Sequence, residues 1–159
     1  MPGSYVKLDD ILFYGIHPGL VFPERLFDNY VILTTPNNLE GVKLDLRWLN
    51  IEQIVIEHPI VDRKAPPSLE EFQDIIERVI GLKGTVYIAC KGGHGRSGLL
   101  AAALYAKKYK MTYREVVRHI NKEWRRQRDM TYIRPIIQKL GSPQSQSQKL
   151  MLKAFIETL

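Results

Sequence analysis

Cysteine is nearly absent from this chain: Cys90 is the single one among 159 residues. One thiol cannot close an internal disulfide or build a thiolate zinc site, so Cys90 acts through reactivity or packing. No run approaches the roughly 18 consecutive apolar residues that a membrane-spanning helix needs. Residues 1–10 lack the apolar stretch after basic residues that marks a secretory signal. These absences lead us to expect a reducing, intracellular setting, cytoplasmic or nuclear, where a lone thiol stays reduced. Negative charge is the scarcer sign, with 17 Asp and Glu against 23 Lys and Arg, a formal net charge of +6. That balance favours anionic partners such as phosphates, nucleic acid or an acidic membrane face, and it also serves ordinary solubility. Apolar residues make up 45 % and charged residues 25 %, which excludes a disordered chain and fits one domain, residues 1–159, around one core.

Short β-branched and aromatic runs read as strands at Ile11–Gly15, Tyr30–Leu33, Gln53–Ile60 and Thr85–Ala89. The last is apolar on both sides and is expected at the centre of the sheet. Pro23–Asn29 is read as one helical turn and Leu39–Leu49 as a short helix. Ser68 and Glu71 stand at capping-box spacing before an apolar stripe of Leu69, Phe72, Ile76 and Val79. Ser97–Lys108 is a strong helix former, apolar nearly all round, and is expected to be a buried central helix. Thr112 and Glu115 cap a further helix that runs into Arg125, Arg126 and Arg128. A helix over Thr131–Leu140 is expected to be interrupted by Pro135, and a last amphipathic helix follows Ser142-Pro143. Strands first, β–α alternation next and helices last indicate an α/β fold: a central, mainly parallel sheet of four or five strands flanked by helices on both faces.

Chemistry concentrates in Cys90-Lys91-Gly92-Gly93-His94-Gly95-Arg96-Ser97, between the best strand and the strongest helix. Three glycines let the backbone fold tightly, so that successive N–H groups point into one concavity that binds an anion. The helix start behind them favours the same anion. A thiol in that setting is expected to ionise readily, with pKa values of roughly 3.5–7.5 against ~8.5 for free cysteine. Arg96 offers a planar fork for two phosphate oxygens. Nucleophile, cradle and clamp therefore share one eight-residue stretch; an inert cysteine in a glycine turn is the bland alternative. A nucleotide-binding loop fits less well, because no Gly-Lys-Ser/Thr ending is present.

This segment resembles the signature loop of the protein tyrosine phosphatase superfamily, His-Cys-x5-Arg-Ser/Thr, and more closely its dual-specificity branch. The resemblance implies a phosphocysteine intermediate on Cys90, phosphate bound by Lys91, Gly92, Gly93, His94, Gly95 and Arg96, no cofactor or metal, and an aspartic general acid upstream. The segment Pro59–Pro67 is similar to the acid loop of that branch, with Asp62 as the acid; Asp74, inside a helix, and Glu57, inside a strand, suit a mobile loop less well. Ser97 is placed to donate its hydroxyl to the Cys90 sulfur. One residue departs from the pattern: Ala89 stands where the family has His, which implies a higher thiol pKa or slower turnover.

The implied substrate is phosphotyrosine, with phosphoserine and phosphothreonine, in a phosphorylated protein. Phosphoinositides and RNA 5′-phosphates are alternatives using the same chemistry, and a non-catalytic phosphate-binding module is a third reading. Lys91 and His94 together resemble the two-cation loop of inositol-lipid phosphatases. Arg63 and Lys64 can guide an anion, and the arginines at 125, 126 and 128 either touch anions or complement a helix dipole. His17, His58 and His119 are taken as structural. Gln144 and Gln148 are amides able to position water, and no role is assigned to them. Oligomeric state is not legible.

Overall fold

The computed structural model describes residues 3–34 and 54–159; the helix expected at Leu39–Leu49 lies outside them. Strands β1 (Tyr5–Lys7), β2 (Leu12–Ile16), β3 (Asn29–Ile32) and β4 (Ile54–Glu57) precede helix α1 (Leu69–Ile80). Strand β5 (Val86–Cys90) leads into α2 (Arg96–Tyr109), then α3 (Tyr113–Gln127), α4 (Pro135–Leu140) and α5 (Gln146–Glu157). The sheet order is β1-β2-β5-β3-β4. β5 pairs in parallel with β2 and β3, β3 pairs in parallel with β4, and only the edge strand β1 is antiparallel. The segment at Thr85–Ala89 is therefore central, and the crevice beyond its carboxyl end is where open α/β sheets place ligands.

Alternation along β5 assigns the two faces. Val86, Ile88 and Cys90 turn toward the helices, and Tyr87 and Ala89 turn the other way. On the helical face, α1 buries Phe72, Ile75, Ile76 and Val79, each contributing roughly 1.5–3 kcal/mol by leaving water. α2 is buried from Arg96 through Leu104, because α1, α3 and α5 all pack against it while it covers β2 and β5. The opposite face carries an aromatic cluster of Phe13, Phe27, Tyr30 and Tyr87, with Tyr5 at its edge. The Arg25 guanidinium lies 4.7 Å from the Phe13 ring and 4.8 Å from the Phe27 ring. Among the described residues the helices gather on one face, not on both.

Other local readings need correction. Pro23–Asn29 is irregular rather than a helical turn: Glu24 takes a positive φ of 64°, and Phe27 is drawn into the aromatic cluster. Pro135 opens α4 instead of interrupting a longer helix, since its missing N–H costs nothing at the first helical position. The last helix begins after Ser145, whose hydroxyl accepts from Gln148 N, and not at Ser142. The Thr112–Glu115 capping box is present in full. Ser68 does cap α1 through Glu71 N, but the Glu71 carboxylate lies 3.3 Å from His58 Nε2. Strand β1 has no counterpart among the expected elements.

Asp9 pins the turn before β2 to the end of α2. Its carboxylate accepts from Ile11 N (2.8 Å), Leu12 N (2.7 Å), Lys108 Nζ (2.8 Å) and Tyr109 Oη (2.7 Å). Burial alone would raise its pKa, but these donors outweigh it and hold the group at about 2, against an ordinary value of 3.8. A depressed carboxylate stabilises the fold above its unfolded pKa and loses that contribution as pH falls through the folded value. The stability difference between the native chain and Asp9→Asn should therefore be largest above pH ~4 and shrink toward pH 2. Thermal midpoints of both proteins across that range measure it, and a pH-independent difference would contradict the assignment.

Candidate active site

Cys90 is the last residue of β5 and is 2 % exposed; its Sγ lies 3.2 Å from Ser97 Oγ in the first turn of α2. Between them the loop turns at Gly93, where φ is +74° and an added Cβ would overlap the backbone of Gly15 and Ile16. The loop is held from outside by groups the sequence reading did not assign to it. Arg128, 7 % exposed, donates through Nη1 to Gly93 O (2.9 Å) and through Nη2 to Gly92 O (3.2 Å), and its Nε donates to Gly3 O (2.9 Å). Ser142 Oγ donates to His94 O (2.6 Å). That spends the only Ser142 proton, so Tyr14 Oη, 3.1 Å away, donates to Ser142; burial pushes the Tyr14 phenol pKa up and keeps its proton in place.

These outward bonds fix the inside of the loop. In a planar trans peptide the carbonyl of one residue and the N–H of the next point in opposite directions. Tying Gly92 O, Gly93 O and His94 O to Arg128 and Ser142 therefore turns the N–H groups of Gly93, His94 and Gly95 to the other side, which is how an anion nest is built.

The segment Pro59–Pro67 meets this unit through Arg96, which is 1 % exposed. Its Nη1 donates to Ile60 O (2.9 Å), and its Nη2 lies 3.4 Å from Asp62 Oδ1. Asp62 is 57 % exposed at the mouth of the loop. The next residue, Arg63, has a positive φ of 63°. From the other side α5 holds the loop's backbone: Gln148 Nε2 donates to Lys64 O (3.1 Å), and Ser147 Oγ donates to Arg63 O (3.3 Å). Gln148, fully buried, also accepts from the N–H groups of Gln144 and Ser145, 3.0 Å each. Gln148 is thus a strut between the Asp62 segment and α5. Ser97 stands beside Cys90 and Asp62 beside Arg96, while Glu57 and Asp74 stay on β4 and α1.

Three features singled out in the sequence find their places here. His94 is buried, with Nδ1 3.0 Å from Gly92 O and Nε2 3.1 Å from Gln144 Oε1; burial first, then the Arg128 charge, lowers its pKa below 6.5. Lys91, beside it in the loop, is exposed. The basic cluster also divides: Arg126 pairs with Glu123 (2.5 Å), Arg125 donates to Gln138 O (3.0 Å), and only Arg128 reaches the loop. Ala89 packs into the aromatic face, and the Cys90 carbonyl accepts from His17 N (2.8 Å). The signal for Arg128 was available as a third arginine beyond the end of an amphipathic helix; nothing in its spacing pointed to the glycines.

Arg128→Ala should leave three carbonyls without their charged donor and lower stability by on the order of 3 kcal/mol. If the loop loosens as the geometry requires, kcat should fall about 10²-fold with it. Thermal unfolding and steady-state kinetics on the same preparation check both; full activity would mean that the loop holds its shape unaided.

A fold of this topology, with a cysteine-to-arginine loop at the carboxyl end of its central strand, defines a class, and comparison places the chain within it. A family model described as the DSP-PTPase phosphatase of polymorphic toxin systems matches residues 27–109, just over half of the chain. The chain belongs to this family. A candidate tyrosine phosphatase of Invertebrate iridescent virus 6, 197R, is 42 % identical over 55 residues, which is 31 % of this chain and 21 % of that protein. The match therefore spans about a fifth of the viral relative's length. Among solved structures, Tk-PTP in its active form is 26 % identical over the whole of both chains, with a TM-score of 0.74. PTPMT1 in complex with PI(5)P shares the fold at 19 % identity and a TM-score of 0.64, over 98 % of this chain and 96 % of that one. No helix among the described residues is long and apolar enough to cross a membrane.

Proposed function

We propose that this chain hydrolyses phosphate monoesters, phosphotyrosine in proteins first and phosphoserine or phosphothreonine with it, through a phosphocysteine. The observation that supports the reading is the tethering of three consecutive carbonyls, Gly92 O, Gly93 O and His94 O, by Arg128 and Ser142 in the loop between Cys90 and Arg96. Planar peptides so held leave the following amides on the other side, free for an anion. In the first step the Cys90 thiolate attacks phosphorus, the S–P bond forms and the ester P–O bond breaks. Asp62 delivers its proton to the departing oxygen. The inward amides of Gly93, His94 and Gly95 and the Arg96 guanidinium balance charge on the transferring group. Arg96 meets Asp62 before substrate arrives, and a bound phosphate dianion competes for that guanidinium and releases the carboxyl to act as acid.

In the second step water attacks phosphorus, Asp62 takes its proton and the S–P bond breaks. The sulfur leaves as thiolate, with the Ser97 hydroxyl donating to it across 3.2 Å. Every step is carried by side chains of this chain, with no metal or cofactor required.

The test is hydrolysis of a small aryl phosphate in the presence of a chelator, with acid quenching in the first turnover. A phosphoenzyme that is stable to acid, formed stoichiometrically and mapped to Cys90, is expected. Turnover that stops on chelation, or a label on another residue, would overturn the mechanism. A panel of phosphopeptides, phosphoinositides and RNA 5′-phosphates ranks the substrate classes.

A further inference from the structure

Beside the active loop lies a recess of about 400 Å³ bordered by Arg63, Arg134 and Lys149, with Ile136 and Leu140 on its apolar side. Its inner wall includes Gln144, the residue bonded to His94 of the phosphate loop. Arg63, on its rim, is the immediate chain neighbour of Asp62. Three features point to a negatively charged occupant. The described lining holds three cations and no carboxylate. The first turn of α5, Ser145 and Gln146, opens onto it with the positive end of the helix dipole. The opposing carbonyl end of α4 is already covered, because Lys149 Nζ donates to Leu140 O at 2.7 Å. The apolar side matters as well: Ile136 is 62 % exposed, which a partner's side chain would cover.

We propose that this recess is a second-anion subsite that seats an acidic side chain flanking the phosphoresidue of a protein substrate, with an apolar neighbour of that residue lying on Ile136 and Leu140. A concave site this size encloses inserted side chains, and a peptide supplies acidic and apolar groups in alternation. A bilayer surface meets protruding groups and would leave the recess unfilled. The proposal rests on the phosphatase reading and adds substrate selection to it.

The experiment compares kcat/KM for two phosphotyrosine peptides of one length, one flanked by Glu and Leu and one by Gln and Leu. Each value is divided by that for para-nitrophenyl phosphate on the same preparation, so that a general change in activity cancels. The native chain should prefer the acidic peptide about tenfold, as partly desolvated charge pairs of this kind allow. Arg134→Glu should remove or reverse the preference, and Arg134→Gln should reduce it. On the native chain alone, the preference should fall steeply between 0.02 and 0.5 M salt, roughly as the Debye length shortens. Equal treatment of both peptides with aryl phosphate still hydrolysed would sink the subsite and spare the phosphatase reading. Failure to hydrolyse aryl phosphate would sink that reading itself. A phosphoinositide in vesicles outpacing both peptides, with the advantage lost in Arg134→Glu, would reassign the recess to a lipid headgroup and overturn the peptide proposal.

Discussion

Cys90→Ser should reduce phosphate release by about 10³-fold or more while leaving substrate binding in place. The reason is local. Exchanging sulfur for oxygen preserves the side-chain shape, so the loop, its inward amides and Arg96 remain as they are. What disappears is the sulfur nucleophile. Serine needs a general base to become nucleophilic, and the hydrogen-bond partner found at this position is Ser97 Oγ, 3.2 Å away, which is not one. The variant should bind phosphopeptide with an affinity near the native KM, which calorimetry measures directly, and should form no phosphoenzyme. Retention of native turnover would show that another group attacks phosphorus.

Asp62→Ala should lower kcat by roughly 10²–10⁴ with little change in KM, because proton donation is made in the transition state and not in the ground state. The size of the loss should depend on the leaving group. Nitrophenolate departs readily without a proton, so its esters should suffer least; a serine alkoxide departs poorly, so phosphoserine peptides should suffer most. Comparing both substrates on one variant separates lost acid catalysis from a disturbed loop, which would slow the two alike. Asp62 also touches Arg96 Nη2 at 3.4 Å, but the guanidinium keeps its bond to Ile60 O in the variant, which is why KM should change little. A uniform loss across leaving groups would send the search for the proton donor elsewhere.

The parts of this site that sequence reading reached are those encoded locally. Cys90, the glycines, Arg96 and Ser97 occupy one stretch, and a strand followed by a helix-forming run announces itself by composition. Asp62 was reached through resemblance, helped by its prolines and the capped helix after them. The supports were not reached, because their partners are far along the chain. Arg128 meets Gly92 and Gly93 from 36 and 35 residues away, and Gln148 meets Lys64 from 84. Nothing in the periodicity of α3 marks its terminal arginine as a backbone donor to a loop two elements earlier. The surroundings of His94 were hidden for the same reason, since its burial and the nearby Arg128 are not visible in Lys91–Arg96. The antiparallel edge strand was missed because three residues, Tyr5–Lys7, give too short a pattern to read.

The bond from Arg128 Nε to Gly3 O has a practical consequence for anyone handling the protein. The same guanidinium that ties Gly92 and Gly93 is anchored at Gly3, so a change of backbone at Gly3 should be felt in the Cys90–Arg96 loop. A preparation altered near Gly3 should be judged by its kinetics before its purity.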